Sequence, residues 1–222
     1  MLKYFENAAK KVDVPRQTQH LLRKERFKMW FLSDEELLAI GLKGFGRKVL
    51  VDKTVRFINP TLISIGDNVR IDFNSLISAG LEGIEIGSHV HISANVQLFG
   101  GGGRIVLHEF SGLSPGVKLF TASDDFSDGW LKGPQVGIAY RKIESGGIFL
   151  DMNSQVGANS VVLPGVTFGF NSCAGALCLV SSDVEPNVLV AGNPARIVKR
   201  RDGDLATKLM AEFREEWNRN EQ

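Results

Sequence analysis

The stretch L150-DMNSQ, V156-GANSV, V162-LPGVT, F168-GFNSC, A174-GALCL, V180-SSDVE decides the fold of this 222-residue chain. An apolar residue opens every six-residue unit, and glycine follows it at positions 157, 169 and 175. Neither the period of a helix nor that of a simple strand is six. One short strand and one tight turn fill six residues, so three units close one coil of a triangular prism. The sequence therefore predicts an all-β parallel solenoid.

The same six-residue period extends toward the start of the chain. Earlier units begin at Val51, Phe57, Ile65, Ile71, Ile77, Ile86, Ile92, Leu98, Leu107, Leu113 and Leu119. The frame slips at residues 83–85 and 101–106, between coils, where a loop can leave a corner without disturbing the stack. We predict a hexapeptide-repeat domain at residues 44–201. The glycine run at 100–103 lacks the lysine and following helix of a phosphate-binding loop, so we interpret it as a bulged corner.

Helical patterns flank the repeat. Residues 1–43 form a predicted N-terminal helical segment, with one helix at residues 17–31. A second helix begins at Ser33, where Glu36 completes a capping box, and ends near Gly41. Residues 202–222 form a predicted C-terminal helix that packs against the prism end or a neighbouring molecule. Its apolar stripe contains Leu205, Leu209, Phe213 and Trp217.

Composition excludes several classes of protein. A net charge of +1 gives no bulk attraction to nucleic acid or to acidic membranes. No apolar run approaches the roughly 20 residues that span a bilayer, and the N-terminus has no signal-peptide core. Cys173 and Cys178 lie inside the repeat and suggest no disulfide framework. We expect a cytoplasmic protein without membrane insertion.

One large insertion, residues 124–147, interrupts the repeat. A loop of this length inside a regular fold is usually functional or disordered. It carries Trp130, Tyr140 and Arg141, whose aromatic and charged side chains suit ligand binding. We therefore interpret the insertion as functional.

The repeat, followed by A191-GNPARIVKR, resembles the left-handed parallel β-helix acyltransferases. More narrowly, it is similar to the branch of galactoside, maltose and surface-polysaccharide sugar acetyltransferases. The narrower resemblance rests on the Gly-Asn-Pro-Ala-Arg ending, on T121-ASDD and on V161-VLPGVTFG. It implies left-handed coils, acetyl-coenzyme A as the donor, and a homotrimer with active sites between subunits. Flat prism faces also suit cyclic packing.

The resemblance implies seven coenzyme-binding residues: Gly157, Ala158, Ala176, Ser181, Ser182, Arg196 and Lys199. The backbone at Gly157 and Ala158 would bind the thioester region. The two cations near residue 200 suit phosphate oxygens, although a solvated basic tail is the alternative interpretation. The family commonly has a threonine-lysine pair where this chain has two serines, so one phosphate contact is expected to be missing.

The catalytic position departs from the family pattern. Galactoside and maltose acetyltransferases have T-x-G-H-P where this chain has T121-ASDD, so Asp124 occupies the position of the catalytic histidine. Histidine suits a general base for a hydroxyl, because its pKa lies near neutrality. Aspartate is a poor base for an alcohol but can orient an amine. Similar chains with Ser-Asp-Asp here include acyltransferases of nucleotide-linked 4-amino-4,6-dideoxy sugars.

Other residues complete the predicted site. His91, on an outward position facing a neighbouring subunit's groove, is the alternative base, whereas His89 and His108 are assigned to the surface. Asn95 matches an acceptor-site asparagine of the galactoside enzymes, with a turn residue as the alternative role. The predicted acceptor-binding residues are Asn95, Asp125, Trp130, Tyr140 and Arg141.

The sequence thus predicts acetyl transfer to the amine of a nucleotide-linked amino-deoxy sugar used in surface-polysaccharide synthesis. A sugar O-acetyltransferase of the galactoside type is the alternative within the same class. A zinc enzyme of the γ-carbonic anhydrase kind needs three converging histidines, whose spacing differs from that of this chain, so we expect no metal. A non-catalytic solenoid scaffold is the third possibility, because a fold alone does not establish activity.

Overall fold

The computed structural model describes residues 29–220, and its main body is a three-sided solenoid of parallel sheets. The first face contains β1 (Gly44–Phe45), β4 (Ile63–Ile65), β7 (Ile84–Ile86), β10 (Ile105–Leu107), β15 (Ile148–Leu150) and β18 (Thr167–Phe168). The second face contains β2 (Leu50–Val51), β5 (Arg70–Ile71), β8 (His91–Ile92), β11 (Gly112–Leu113), β16 (Gln155–Val156), β19 (Cys173–Ala174), β21 (Val188–Ala191) and β22 (Arg196–Arg200). The third face contains β3 (Arg56–Ile58), β6 (Leu76–Ala79), β9 (Gln97–Gly100), β12 (Lys118–Phe120), β17 (Val161–Val162) and β20 (Leu179–Val180).

The residues that open the six-residue units point into the prism and stack in rows. Leu107 of β10 pairs in register with Ile86 on one side and Leu150 on the other, and all three are buried. Phe57 is the one unit-opening residue that is only partly buried. Burying a continuous apolar column is the main stabilising contribution available to such a stack. The predicted solenoid and its period are confirmed.

The corner between the first and second faces requires a left-handed backbone in every coil. Asn68, Asn153 and Asn171 have φ of 54°, 59° and 55°. Asparagine tolerates this conformation better than most residues with a Cβ atom. The Asn153 amide donates to Asn171 Oδ1 at 2.9 Å, so the side chains also join successive coils.

Glycine at position 157 is needed for close approach of two coils. A Cβ atom there would lie 2.4 Å from the carbonyl carbon of Gly175. Gly157→Ala is therefore expected to destabilise the fold by about 1–3 kcal/mol, as overpacked cores generally do. Chemical denaturation measures this as a lower midpoint. Gly44→Ala is the matched control, since no atom lies within 4 Å of its added Cβ; equal losses in the two variants would contradict the prediction.

Helix α1 (Asp34–Ile40) precedes the first coil, as predicted. The Ser33 hydroxyl accepts from Glu36 N, and the Glu36 carboxylate accepts from Ser33 N, so the capping box is confirmed. Gly41 ends the helix with φ of 75°. Most of the predicted helix at residues 17–31 lies outside the described residues. Its last residues are not helical, because 29–30 form a turn and Phe31 bridges to Asp52.

Helix α2 (Gly203–Asn220) lies along the side of the prism and not across its end, because Phe213 contacts His89 and Trp217 lies under Lys48, a residue of the first coil. Its Arg214 guanidinium pairs with Glu109 of a central coil. The buried helix residues are Ala206 and Met210, whereas Leu205 and Leu209 of the predicted stripe remain about half exposed. Within residues 29–220, the structure contains no helix with the length and apolar character needed to cross a bilayer.

His89 is buried beneath α2, so its assignment to the surface was wrong. Its side chain is 7% exposed and stacks on Phe110 at a centroid distance of 5.0 Å. The rings of Phe213 and Trp217 meet it edge-on at 5.0 and 4.8 Å. His89 and Phe110 occupy corner positions that are asparagine in most other coils and Lys48 in the first, and α2 packs on these two rings. Desolvation lowers the pKa of His89 below its ordinary value of 6.5.

Stability is expected to fall in acid because of His89. The unfolded chain gains the imidazole proton as pH falls through about 6.5, whereas the folded chain, with its lowered pKa, resists protonation until lower pH. The melting temperature should therefore decline as pH falls from 7 through this window. His89→Asn keeps a residue suited to the left-handed corner and should flatten the decline. An unchanged acid slope in the variant would contradict the assignment, and His108→Asn is the exposed control.

Candidate active site

The insertion leaves the solenoid as an antiparallel ribbon at the corner between the third and first faces. Strand β13 (Ala122–Asp124) pairs with β14 (Ile143–Ser145), so the ribbon begins two residues before the predicted boundary at 124. Gly146 N donates to Thr121 O at 2.9 Å and closes its base. A 3-10 turn spans Ile138–Tyr140. The insertion thus has ordered secondary structure of its own, which its sequence pattern did not predict.

Asp124 is held as an anion by both arms of the insertion. Its Oδ2 accepts from Gly133 N at 2.8 Å, and its Oδ1 accepts from Arg141 Nε and Nη2 at 2.9 and 2.6 Å. The Gly133 N–H and the Arg141 guanidinium lower the pKa of the Asp124 carboxyl. A carboxylate so stabilised is a weak proton acceptor. The geometry suits orientation of a neighbouring group better than proton abstraction.

The Asp125 carboxylate forms its hydrogen bonds within the insertion. The residue is 3% exposed; its Oδ1 accepts from Ser127 N at 2.7 Å and its Oδ2 pairs with Lys142 Nζ at 2.6 Å. Lys142 and Ser127 hold the pKa of Asp125 far below its ordinary value. Asp125 was predicted to bind the acceptor; in this structure both of its carboxylate oxygens bind groups of the insertion itself. Lys142, which sequence reasoning did not single out, is its partner.

Trp130 and Tyr140 line one open pocket of about 450 Å³, together with Asp128, Leu131 and small residues. We call it the aromatic pocket. Leu131 N donates to Tyr140 O at 3.0 Å, so the backbone itself joins the two arms that carry the rings. The two rings therefore share one pocket, and the arms that carry them are the arms that Asp124 joins through Gly133 and Arg141.

His91 lies on the outer side of the second face. Its Nε2 is 2.8 Å from Asp72 Oδ2, and the side chain is about half exposed. In the same register stand Arg70, which also binds Asp72, and Gly112. Asn95 is exposed at the corner between the second and third faces with φ of 61°, as its alternative role of turn residue requires.

Asp124 and His91 do not meet within one chain. The insertion leaves from the corner between the third and first faces, which in a triangular prism lies opposite the second face. An active site that contains both side chains therefore needs a second copy of the chain.

The predicted coenzyme residues fall into separate places. Ala158 and Ala176 stack at the corner between the second and third faces, where Leu177 N donates to Ala158 O at 2.8 Å. Gly157 N already donates to Ala174 O at 2.8 Å, so it is not available to a thioester. Ala158 N donates to no acceptor among the described residues and is the better candidate. Ser181 and Ser182 directly follow β20, so they lie at the opposite edge of the third face from Ala158 and Ala176.

Arg196 and Lys199 lie on β22, which does not continue the parallel coil as the repeat predicted. It turns back antiparallel to β21, with Arg196 opposite Ala191 and Lys199 opposite Leu189. Both cations are exposed, and neither forms an ion pair with a described residue. They are therefore available to an anionic ligand.

A polar pair beside His91 was missed by sequence reasoning. Gln155 Nε2 donates to Ser114 Oγ at 3.0 Å, passing over Gly112. The six-residue pattern could have indicated this pair, because Gln155 stands in the same row as His91 and Gly112, and Ser114 is the next outward residue after Gly112. Within residues 29–220, histidine, cysteine and acidic side chains form no group of three or more that could hold a metal ion.

The parallel hexapeptide solenoid with one structured insertion is the architecture expected of hexapeptide-repeat acyltransferases. No family model matches the chain. It is 30% identical over 177 residues to the dTDP-4-amino-4,6-dideoxy-D-glucose acyltransferase of Escherichia coli. The aligned region covers 80% of this chain and 92% of that relative. The chain belongs to this family of acyltransferases, so the predicted resemblance to hexapeptide-repeat acyltransferases is confirmed, whereas the narrower galactoside and maltose branch is not.

Solved structures agree with this family. The N-acyltransferase AntD of Bacillus cereus, in complex with dTDP and 3-hydroxybutyryl-coenzyme A, matches with a TM-score of 0.80 and 33% identity, covering 85% of this chain and 98% of that one. A variant of AntD has been solved with dTDP-4-amino-4,6-dideoxyglucose and coenzyme A. A hexapeptide-repeat acetyltransferase of Vibrio cholerae matches with a TM-score of 0.55 and 22% identity over 85% of this chain and 91% of that one, which shows the fold alone.

Proposed function

We propose that this acyltransferase moves an acyl group, acetyl being the simplest, from coenzyme A to the amine of a dTDP-linked 4-amino-4,6-dideoxy sugar. The observation that carries the proposal is Asp124, an anion tied to Gly133 and Arg141 where galactoside-type enzymes have a basic histidine. Two relatives support the same acceptor: the Escherichia coli protein is a dTDP-4-amino-4,6-dideoxy-D-glucose acyltransferase, and a variant of AntD from Bacillus cereus has been solved with dTDP-4-amino-4,6-dideoxyglucose. Surface-polysaccharide synthesis in the cytoplasm is the proposed setting.

The chemistry needs little general base. The lone pair of the neutral amine attacks the thioester carbonyl carbon, the C–S bond breaks, and the amine proton ends on the departing sulfur, giving an amide and free coenzyme A. Asp124 would orient the amine by accepting one of its N–H hydrogens. Ala158 N–H would stabilise the oxyanion that forms during attack. Arg196 and Lys199 would meet the phosphates of the donor.

We further propose a homotrimer in which each site lies between two chains. Asp124 and His91 lie on opposite sides of the prism, so one chain alone cannot assemble both. The outer side of the third face carries the stacked rings of Phe99 and Phe120, with centroids 4.9 Å apart. These half-buried aromatics suit a packed subunit interface.

One observation favours O-acetylation as the second candidate. His91 Nε2 lies 2.8 Å from Asp72, and a carboxylate that orients an imidazole is the usual arrangement of a base that activates hydroxyl groups. His91 would then deprotonate a sugar hydroxyl presented by the neighbouring chain.

Acceptor choice separates these candidates. Purified protein is incubated with acetyl-coenzyme A and either dTDP-4-amino-4,6-dideoxyglucose or its 4-hydroxyl counterpart, dTDP-6-deoxyglucose. Thiol release and product mass are followed, and mild base distinguishes a labile ester from a stable amide. We expect an amide from the amino sugar and no product from the hydroxyl sugar. An ester whose formation requires His91 would overturn N-acylation, and no thiol release from any sugar would favour a scaffold.

A further inference from the structure

We propose that the aromatic pocket, lined by Trp130 and Tyr140, is the subsite for the nucleobase of the acceptor, and that it selects a pyrimidine-dione ring such as thymine. This inference rests on the proposed function, because it names the part of the nucleotide sugar that the insertion holds.

The pocket has a fixed shape before any ligand arrives. Its two arms are joined by the bond from Leu131 N to Tyr140 O, at 3.0 Å. Just beyond the pocket, Asp124 holds the same arms together by accepting from Gly133 on one and Arg141 on the other. A preformed pocket loses less conformational freedom on binding than a loop that must first be ordered. Trp130 and Tyr140 are therefore positioned by the backbone and not by each other.

The lining matches a flat aromatic ligand. Trp130 and Tyr140 are 43% and 64% exposed, so aromatic surface is available at the opening. The volume of about 450 Å³ lies within the range of small-ligand sites and admits a single ring with its sugar. Aromatic side chains bind nucleobases by stacking, which depends on the ring and not on its phosphates.

Polar groups at the pocket specify which ring fits. The Asp128 carboxylate lines the pocket and accepts no hydrogen bond from a described residue. The N3–H of thymine or uracil donates to a carboxylate, whereas N3 of cytosine is itself an acceptor and is repelled. The Lys132 ammonium donates to Trp130 O at 2.8 Å, next to a pocket residue, where it can meet the diphosphate that follows the ribose.

The same exposed rings would also suit stacking on the hexose, and binding measurements distinguish base from sugar. Isothermal titration of the whole protein uses dTDP, CDP and inorganic pyrophosphate as ligands, with no hexose present. We expect dTDP to bind more tightly than CDP. Trp130→Ala should weaken dTDP binding by about tenfold or more while pyrophosphate binding stays unchanged. Trp130→Phe should retain most of the affinity for dTDP. Asp128→Asn should bring the dissociation constants of dTDP and CDP closer together.

Phe126→Ala is the matched control, because Phe126 is a 77% exposed aromatic residue of the same insertion that does not line the pocket. In turnover with the amino sugar, Trp130→Ala should raise KM for the sugar nucleotide and leave KM for acetyl-coenzyme A unchanged. Equal melting temperatures of the variants and the wild type verify that the insertion stays folded.

Three outcomes would overturn the subsite. If dTDP binds the wild type and both Trp130→Ala and Tyr140→Ala with equal affinity, the base lies elsewhere while the proposed function stands. If Trp130→Ala leaves dTDP binding intact but raises KM for the sugar nucleotide, the rings hold the hexose. If the wild type binds no nucleotide, the proposed acceptor class fails together with the subsite.

Discussion

Asp124→Asn is expected to lower kcat/KM for the amino-sugar acceptor by about 100-fold or more, the scale on which positioned acid-base and orienting groups act. The substitution preserves shape but removes the negative charge that the Gly133 N–H and the Arg141 guanidinium stabilise. Asparagine has one acceptor oxygen where aspartate has two, so its NH2 group would face either the Gly133 N–H or the Arg141 guanidinium and at least one hydrogen bond is lost. Steady-state rates of thiol release measure the effect.

Glu144→Gln is the matched control for this change. Glu144 lies on β14, pairs in register with the residue before Asp124, and is exposed. Its neutralisation should leave kcat/KM within a factor of about two, because exposed charges contribute little. Wild-type rates in Asp124→Asn would remove Asp124 from the site altogether.

The pH profile separates orientation from base catalysis. The pKa of Asp124 is lowered below 3.8 by Gly133 and Arg141, so the carboxylate stays ionised throughout the range in which the enzyme is assayed. The acid limb of kcat/KM should then follow protonation of the acceptor amine and persist in Asp124→Asn at a reduced level. Loss of the acid limb in the variant would identify Asp124 as the titrating base.

The solenoid was predictable because it is a local property repeated many times. Each unit opens with a residue that stacks on its counterpart one coil away. Leu107 and Leu150 are such a pair, and each of them indicates the six-residue period on its own. Errors in single units, such as the incompletely buried Phe57, do not change the period. The capping box at Ser33 was predictable for a similar reason, since its partners are three residues apart.

The remaining features depend on contacts between distant parts of the chain. His89 is buried only because α2, more than a hundred residues later, returns to Phe110. The Asp125 carboxylate is paired within the insertion because Lys142 reaches it from the far arm. The backward turn of β22 follows a stretch with no repeat to constrain it. No period or local spacing encodes these pairings, and a single sequence leaves them open.

Mixed trimers are expected to recover activity that neither parent has. Ala176→Trp fills the exposed corner at which the donor is proposed to bind, and Asp124→Asn disables the insertion at a different corner. Each variant alone should be nearly inactive. The two chains are co-expressed with different tags and purified through both tags in sequence, so every assembly contains both.

The expected recovery follows from three-fold symmetry. If each site joins Asp124 of one chain to the donor corner of the next, any trimer that mixes the two variants has one intact interface out of three. Activity per trimer should therefore reach about one third of the wild type. Asp124→Asn chains co-purified with chains that carry both changes provide the control, because no interface then has an intact Asp124. Mixed assemblies as inactive as their parents would place Asp124 and the donor corner in the same chain's site, and the intersubunit arrangement would be wrong.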